Sequence, residues 1–367
     1  MDTVTLVLFV AGLALLIAGA EALVRGASRL ASGIGISPLV VGLTVVAFGT
    51  SSPELAVNLQ AALAGNPDIA LGNVVGSNIF NVLFVLGLAA AIAPLVVAQR
   101  LVRLELPVMI GVSVLLLVLA LDGSIGRVDG MVLLAAIIGY SVFVVGQSRK
   151  ETEAIRSEYE QEFGKPPRRI TQWLANVTLV GVGLTLLVVG SRWLVDGAVA
   201  LARALGLSEL VIALTIIAAG TSLPEVATSV IATLRGERDI AVGNVVGSNI
   251  FNVLAILGLS GMVAADGIIV APAALRFDLP VMIAVSVACL PIFFTSYRIA
   301  RWEGWLFLAY YAGYTIYLLL KAAEHDALPA FSAVMAFFVL PLTVATLGVL
   351  AARALRAQRA RRTGSTG

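Results

Sequence analysis

The chain has 367 residues, of which 59% are hydrophobic and 13% are charged, and its formal net charge is +2. An average soluble protein is about 45–50% apolar and about 25% charged, so the excess of apolar side chains cannot be hidden in a soluble core. The composition excludes an ordinary soluble protein and predicts an all-α polytopic membrane protein, in which lipid is the solvent for most side chains.

Apolar segments long enough for an α-helix to cross the hydrocarbon, about 20 residues each, predict eleven transmembrane helices. The amino terminus lacks the basic region and the cleavage site of a signal peptide, so we expect the first helix to be retained. The predicted spans lie near residues 4–25, 37–64, 69–93, 104–121, 127–147, 173–197, 208–234, 240–264, 277–297, 302–321 and 330–353.

The Lys and Arg residues predict the orientation, because short cytoplasmic loops collect positive charge. With the amino terminus outside, the cytoplasmic loops and the tail hold 19 of these residues and the outer side holds 5. We therefore predict a multi-pass protein of the cell (inner or plasma) membrane whose carboxyl terminus is cytoplasmic. An odd number of helices agrees with this orientation.

The sequence contains an internal duplication at an offset of 171 residues. The twelve residues 72–83 (GNVVGSNIFNVL) recur unchanged at 243–254, and the upstream block 42–54 (GLTVVAFGTSSPE) matches 213–225 (ALTIIAAGTSLPE). Each unit holds five predicted helices, and an odd number inverts the second unit relative to the first. The predicted organisation is a first repeat (1–148), a polar cytoplasmic linker (149–172), a second inverted repeat (173–322), and an extra eleventh helix with a basic tail (323–367).

Two of the predicted helices contain helix-breaking residues at matching places. Gly49 and Pro53 lie in the middle of the second predicted helix, next to Glu54. Proline removes a backbone donor and clashes with the preceding turn, so we expect the helix to kink or unwind and to free carbonyl oxygens. The seventh predicted helix repeats this pattern with Gly220, Pro224 and Glu225.

Glu54 and Glu225 lie about halfway along their predicted spans. An ionised carboxylate at this depth costs about 2.5 kcal/mol or considerably more. No Lys or Arg lies near the middle of any predicted span, so the sequence offers no internal ion pair. We therefore expect a bound metal ion, or protons, to neutralise the two carboxylates.

Oxygen donors accompany both glutamates. Thr50 and Glu54 are four residues apart, as are Ser77 and Asn81, so each pair shares one helix face. A cage of carboxylate, hydroxyl, amide and backbone oxygens suits Ca²⁺ and Na⁺ and disfavours zinc and copper. For Ser77 and Ser248 alone, close helix packing is an equal alternative. The predicted donors are Thr50, Ser51, Ser77 and Asn81 in the first half and Thr221, Ser222, Ser248 and Asn252 in the second.

Other asparagines of the repeated blocks have no assigned role at this level. Asn73 and Asn244 lie near the predicted starts of their helices, where caps or interhelical hydrogen bonds are expected. Asn78 and Asn249 lie in the unchanged twelve-residue block, and the sequence alone does not distinguish packing from function for them.

The GTSSPE and GTSLPE blocks, each followed by GNVVGSNIFN, resemble the two alpha-repeats of the cation:calcium antiporter superfamily, the sodium/calcium exchangers of prokaryotic type. The resemblance covers residues 1–322. It implies ten core helices in two inverted halves, alternating access by sliding of gating helices, and ions held at the centre. It further implies that Glu54 and Glu225 are the central Ca²⁺ ligands. The implied Na⁺ ligands are Thr50, Ser51, Ser77, Thr221, Ser222, Ser248 and the carbonyls of Ala47 and Ala218.

This chain departs from the Na⁺-coupled branch at one position of the repeated motif. In that branch one of the two motifs has an aspartate there, whereas this chain has an asparagine in both motifs, Asn81 and Asn252. Two glutamates with two asparagines resemble the H⁺-coupled branch, whereas the GTSxPE context resembles the Na⁺-coupled branch. Both coupling ions therefore remain open at this level.

The sequence predicts a secondary active antiporter that exchanges Ca²⁺ for Na⁺. The alternatives are a Ca²⁺/H⁺ exchanger and, in a different class, a cation channel. An enzyme is not expected, since no nucleophile–base pair or cofactor motif accompanies the buried acids. The expected partners are inorganic cations and the lipid bilayer, with no cofactor, no nucleic acid and no obligate protein partner.

Overall fold

The structure is a computed structural model of the whole chain. It describes residues 3–34, 37–65, 68–148, 170–207, 209–294, 297–346, 348–349 and 352. Most of the predicted linker, residues 149–169, and the basic tail from residue 353 lie outside the described residues. Helices dominate the described part, as expected in lipid, where a helix satisfies its own backbone hydrogen bonds.

The described residues of the first half form six helices. The predicted second span is divided at Ser51, and the axes of its two parts differ by 45°. The helices are α1 (Thr3–Ile34), α2 (Leu39–Thr50), α3 (Ser52–Leu63), α4 (Ile69–Ile92), α5 (Leu101–Asp122) and α6 (Arg127–Ser148).

The second half repeats this order, and its predicted seventh span is divided at residues 221–222. Helix α8 covers residues 209–220 in three consecutive pieces, Glu209–Ile212, Ala213–Ile217 and Ala218–Gly220. The other helices are α7 (Ile170–Ala204), α9 (Leu223–Leu234), α10 (Arg238–Val263), α11 (Ala274–Phe294) and α12 (Arg301–Ala322), and α13 (Leu328–Thr346) follows them.

The described residues contain eight helices long and apolar enough to cross a membrane, and α2 with α3 makes a ninth when the bent pair is taken as one span. The predicted seventh span corresponds to α8 and α9, and the predicted tenth span corresponds to α12. Neither of these two is among the eight. The all-α membrane fold is therefore confirmed, while the count of ten core helices and the domain boundaries remain predictions.

Local irregularities occur at matching positions in the two halves. Widened π-helical turns at Gly42–Val46, Asn81–Leu86 and Leu101–Glu105 have counterparts at Ala213–Ile217, Asn252–Leu257 and Ala274–Asp278. Such turns are rare and frequent at functional sites. Their recurrence follows from the repeated sequence, because the same residues impose the same local backbone.

Two short antiparallel strand pairs join loops that are distant in sequence. β1 (Leu95–Val96) pairs with β4 (Arg298–Ile299), and β2 (Ser124–Ile125) pairs with β3 (Ile268–Ile269). The orientation predicted from Lys and Arg places both loops of the first pair in the cytoplasm and both loops of the second pair outside. Each strand pair therefore connects loops that were predicted to share one side.

The helices that carry the unchanged twelve-residue block are the most deeply buried. In an 18-residue apolar stretch of α10 and of α4, 94% and 72% of the residues are buried, against 0% in α13. The peripheral position of α13 agrees with the prediction of an appended helix. Buried apolar side chains of α4, α5, α10 and α11 form the main core, which contains Cys289 as a small buried residue.

Helices α1 and α7 form a long, closely packed pair. A Cβ atom on Gly12 would lie 2.8 Å from the carbonyl oxygen of Gly190, and one on Gly19 would lie 2.8 Å from that of Gly183. Within each helix the two glycines are seven residues apart, Gly12 and Gly19 in α1 and Gly183 and Gly190 in α7. Small residues at this spacing bring two membrane helices into backbone contact, so α1 and α7 pack as one unit.

Candidate cation site

The helix breaks place both glutamates at the start of a new helix. Ser51 and Ser222 interrupt the two spans with nearly the same backbone angles, φ −82°, ψ 8° and φ −90°, ψ 9°. Glu54 and Glu225 then lie in the first turns of α3 and α9. The positive end of the helix dipole favours a carboxylate at that position. The kinks predicted from proline and glycine are thus confirmed, and they orient the acids.

Each glutamate receives a hydrogen bond from the opposite half of the protein. The Ser51 hydroxyl donates to Glu225 Oε1 at 2.9 Å, and the Ser222 hydroxyl donates to Glu54 Oε1 at 2.9 Å. Both acids are at most 1% exposed. The sequence grouped Ser51 and Ser222 with the glutamate of their own half. In the structure, each of these two serines contacts the glutamate of the other half.

The predicted serines of the third and eighth spans also reach this centre. The Ser77 hydroxyl lies 3.3 Å from the hydroxyl oxygen of Ser222, which can accept from it because the Ser222 proton goes to Glu54, and Ser248 donates to Glu225 Oε1 at 3.5 Å. Both Ser77 and Ser248 are buried. Polar contacts at the acid centre therefore accompany the close helix packing that was the alternative for these two residues.

Four asparagines join α4 to α10 across the same centre. The amide of Asn81 donates to Asn249 Oδ1 at 3.1 Å, and the amide of Asn252 donates to Asn78 Oδ1 at 3.0 Å. The Asn78 amide donates to the backbone carbonyl of Asn249, and the Asn249 amide donates to that of Asn78, both at 3.2 Å. Each contact thus has a counterpart with the two halves exchanged, as expected around an approximate two-fold axis.

Several oxygen atoms at this centre are buried and have no hydrogen-bond partner among the described residues. They are Glu54 Oε2, Glu225 Oε2, Asn81 Oδ1 and Asn252 Oδ1. Within the described residues, neither glutamate forms an ion pair with Lys or Arg. Buried polar atoms are normally hydrogen-bonded, so four buried acceptors without a partner, in equivalent positions of the two halves, indicate a binding site for a cation.

The remaining predicted donors differ between the halves. Thr50 is fully buried and its hydroxyl donates to Asn244 Oδ1 at 3.0 Å, and the Asn244 amide donates to Ser229 at 3.1 Å. The equivalent Thr221 is only partly buried, and among the described residues it makes no hydrogen bond to an asparagine like that of Thr50. Ala47 is buried whereas its equivalent Ala218 is exposed. The site is more tightly enclosed by α2 than by α8.

Sequence reasoning missed the part played by Asn78 and Asn249. Both lie three residues before a predicted ligand, Asn81 or Asn252, and hence on the same helix face. This spacing, together with their place in the unchanged block, was the available signal. Their hydrogen bonds cross between the halves, which no pattern within one helix predicts.

Comparison with known proteins agrees with this arrangement. A family model described as sodium/calcium exchanger protein matches residues 4–146 and 175–320. The chain belongs to the sodium/calcium exchanger family. This membership confirms the resemblance drawn from the two motifs, and it makes the chain a cation and calcium antiporter of a membrane rather than an enzyme. The channel alternative has no support from this family.

Individual relatives extend the likeness over most of the chain. The putative antiporter CaxA of Alkalimonas amylolytica is 43% identical over 79% of this chain and 90% of its own. The sodium/calcium exchanger MaX1 of Methanosarcina acetivorans is 32% identical over 87% of this chain and 99% of its own. The solved structure of the sodium-calcium exchanger NCX_Mj soaked with 10 mM Na⁺ and zero Ca²⁺ is 32% identical, covers 85% of this chain and 98% of its own, and superimposes with a TM-score of 0.73.

Proposed function

We propose that this exchanger moves Ca²⁺ across the cell membrane against Na⁺, and that both ions occupy the centre between Glu54 and Glu225. The observation that carries the proposal is the set of four unpartnered, buried oxygens on Glu54, Glu225, Asn81 and Asn252. Two carboxylates balance the charge of one Ca²⁺, and amide oxygens add neutral ligands. Ca²⁺ binds 6–8 oxygens, so hydroxyls or water complete its shell.

The hydroxyls around the carboxylates suit Na⁺, which also binds hard oxygen ligands. Ser51 and Ser222 lie within hydrogen-bonding distance of the acids, and Ser77 and Ser248 lie next to them. A cation that displaces these hydrogen bonds would gain the serine oxygens as ligands. We assign the Na⁺ positions to Thr50, Ser51, Ser77, Thr221, Ser222, Ser248 and the carbonyls of Ala47 and Ala218.

The coupling follows from the cost of an empty site. Two unpaired carboxylates in the interior of a membrane protein are unfavourable, because each costs about 2.5 kcal/mol or more without a counter-charge. A carrier with an empty site therefore resists the change between its two sides, whereas one loaded with Ca²⁺ or Na⁺ does not. Transport in one direction then depends on return with the other ion, and the ion gradient supplies the energy.

We further propose that the amino terminus is outside and the carboxyl terminus is cytoplasmic. The excess of Lys and Arg in the inner loops supports this orientation. The strand pairs support the relative sidedness, because β1 with β4 and β2 with β3 each join loops assigned to one side.

A gradient experiment on the purified, reconstituted protein tests the coupling ion. Vesicles loaded with Na⁺ and diluted into Na⁺-free buffer should accumulate radioactive Ca²⁺, and vesicles with only an imposed pH gradient should not. Empty vesicles are the control. Uptake driven by the pH gradient alone would overturn Na⁺ coupling.

Proton coupling is the second candidate, and one observation favours it. Both central amides, Asn81 and Asn252, are neutral, so Glu54 and Glu225 are the titratable groups of the centre. Two protons would neutralise this pair as one Ca²⁺ does. Ca²⁺ uptake that follows the pH gradient and is unaffected by Na⁺ would establish this candidate.

A further inference from the structure

Asn78 and Asn249 are hydrogen-bonded to the proposed amide ligands Asn252 and Asn81. Both are 2% exposed, and their hydrogen bonds go to protein atoms of the opposite half. Besides the backbone carbonyl, each amide nitrogen lies 3.7 Å from a methionine sulfur, Met282 for Asn78 and Met109 for Asn249. Since both ends of each amide group are hydrogen-bonded to protein atoms, we expect any effect of these side chains on a cation to act through a neighbour.

The hydrogen bonds fix which way the Asn78 amide points. A backbone carbonyl oxygen can only accept, so the Asn78 atom 3.2 Å from the Asn249 carbonyl is the nitrogen. The other amide atom of Asn78 is therefore the oxygen, which also can only accept. The Asn252 atom that lies 3.0 Å from this oxygen must be a nitrogen. By the same steps, the carbonyl of Asn78 orients Asn249, and Asn249 orients the nitrogen of Asn81.

The orientation of Asn81 and Asn252 leaves their oxygens for the site. Both oxygens are buried and have no hydrogen-bond partner in the part of the chain that the structure describes. Helix α3, which carries Glu54, packs on the turn that begins at Asn252, and α9, which carries Glu225, packs on the turn that begins at Asn81. An amide turned by 180° would present its NH₂ group, which repels a cation. Rotation of a terminal amide has a broad, roughly two-fold preference, so a neighbour must choose the orientation.

We propose that Asn78 and Asn249 are positioning residues that hold the amide oxygens of Asn252 and Asn81 towards the cation. Each positioning residue acts on the opposite repeat: Asn78 in the first repeat orients Asn252 in the second, and Asn249 in the second orients Asn81 in the first. The proposal rests on the proposed cation site. It adds that these two asparagines set Ca²⁺ affinity without touching the ion.

Equilibrium Ca²⁺ binding to the purified full-length protein tests the proposal. Outer-shell partners of metal ligands typically change metal affinity by about 10- to 100-fold, so Asn78→Ala should raise the Ca²⁺ dissociation constant by that factor. Asn78→Leu, which is close to asparagine in shape and leaves no cavity, should have the same effect. It serves as the second variant if Asn78→Ala does not fold.

The decisive comparison uses backgrounds in which amide orientation is irrelevant. Asn252→Asp replaces the amide with two equivalent oxygens, so Asn78→Ala should not weaken Ca²⁺ binding in that background. The matched control is Asn81→Asp, in which Asn78→Ala should still weaken binding. Asn249→Ala should weaken binding in the Asn252→Asp background and should not weaken it in the Asn81→Asp background. A merely structural role would weaken binding equally in both backgrounds, and that result would overturn the proposal.

The proposed cation site can fail separately. If the unmodified protein binds no Ca²⁺, or if Glu54→Gln binds it normally, the site itself is wrong and the positioning role falls with it. If the unmodified protein binds Ca²⁺ and Glu54→Gln does not, but the crossed pattern is absent, only the positioning role is wrong.

Discussion

The two copies of GNVVGSNIFNVL have the same sequence and different surroundings. In α10, a Cβ atom on Gly243 would lie 2.9 Å from the carbonyl oxygen of Leu39, and one on Gly247 would lie 2.6 Å from that of Leu43. In α4, the equivalent positions on Gly72 and Gly76 meet no packed neighbour within 4 Å among the described residues. Since the sequences are identical, the difference belongs to the tertiary arrangement.

The polar contacts show the same inequality. Thr50, Asn244 and Ser229 are joined in one hydrogen-bonded chain beside α2. This chain is not repeated in the other half: within the described part of the protein, Thr221 forms no hydrogen bond to Asn73, whose amide nitrogen has no partner. Helix α2 thus closes on α10, whereas α8 leaves the matching face of α4 uncovered. With the predicted orientation, the closed side faces the cytoplasm and the looser side faces outward.

The predicted inversion of the repeats would give this inequality a use in transport. If the halves can exchange roles, α8 would close on the glycines of α4 while α2 withdraws from those of α10, and the centre would face the other side.

The largest effect is expected where the halves are equivalent. Glu54→Gln and Glu225→Gln each leave one carboxylate, which cannot balance a divalent cation, so both variants should abolish Ca²⁺ transport into vesicles. The matched control is Glu105→Gln, because Glu105 is an equally buried acid that accepts from Tyr140 at 2.7 Å, away from the site. It should retain transport. Near-normal uptake by either site variant would contradict the shared role of the two glutamates.

A smaller effect should distinguish the two glycine faces. Gly247→Ala forces a methyl group against the Leu43 carbonyl, and overpacking of this kind costs about 1–3 kcal/mol, so the melting temperature of the purified protein should fall. Gly76→Ala has space and should leave the melting temperature unchanged. If the second side closes during transport, Gly76→Ala should nevertheless slow Ca²⁺ exchange. Gly139→Ala, also with open space around it, is the control and should alter neither quantity. Normal exchange by Gly76→Ala would argue against closure of α8 on α4.

The smallest effect concerns an aromatic residue present in one half alone. Phe48 packs edge-to-face on Phe251, with ring centroids 5.1 Å apart. The equivalent of Phe48 is Ala219, which lines an apolar cavity of about 440 Å³ together with Phe80, Phe84 and Tyr311.

Aromatic pairs contribute about 0.5–1.5 kcal/mol beyond burial, so Phe48→Ala should lower the melting temperature slightly. Ala219→Phe should raise the melting temperature, because the added ring fills the cavity. A fall in melting temperature with Ala219→Phe would mean that the two positions are not equivalent.

Much of the fold and of the site could be predicted because the deciding features are local. The kinks at Ser51 and Ser222 follow from glycine and proline within a few residues, and the positions of Glu54 and Glu225 follow from the kinks. The exchange of serine partners between halves could not be predicted. It depends on how α3 and α9 approach each other, and the motifs are the same whichever glutamate a serine contacts.

Residue types and their order along the chain are enough to establish that the protein spans a membrane, that it is duplicated, and that two acids lie at mid-span without a basic residue near them. Composition, repetition and residue spacing suffice for these properties, because none of them requires knowing which helices are in contact. Two further properties become visible once the helices are packed: Asn78 and Asn249 orient the amides of the opposite half, and one of two identical glycine faces is covered. Both depend on contacts between helices that are far apart in the chain, where packing and hydrogen-bond direction select among arrangements that the sequence leaves equal.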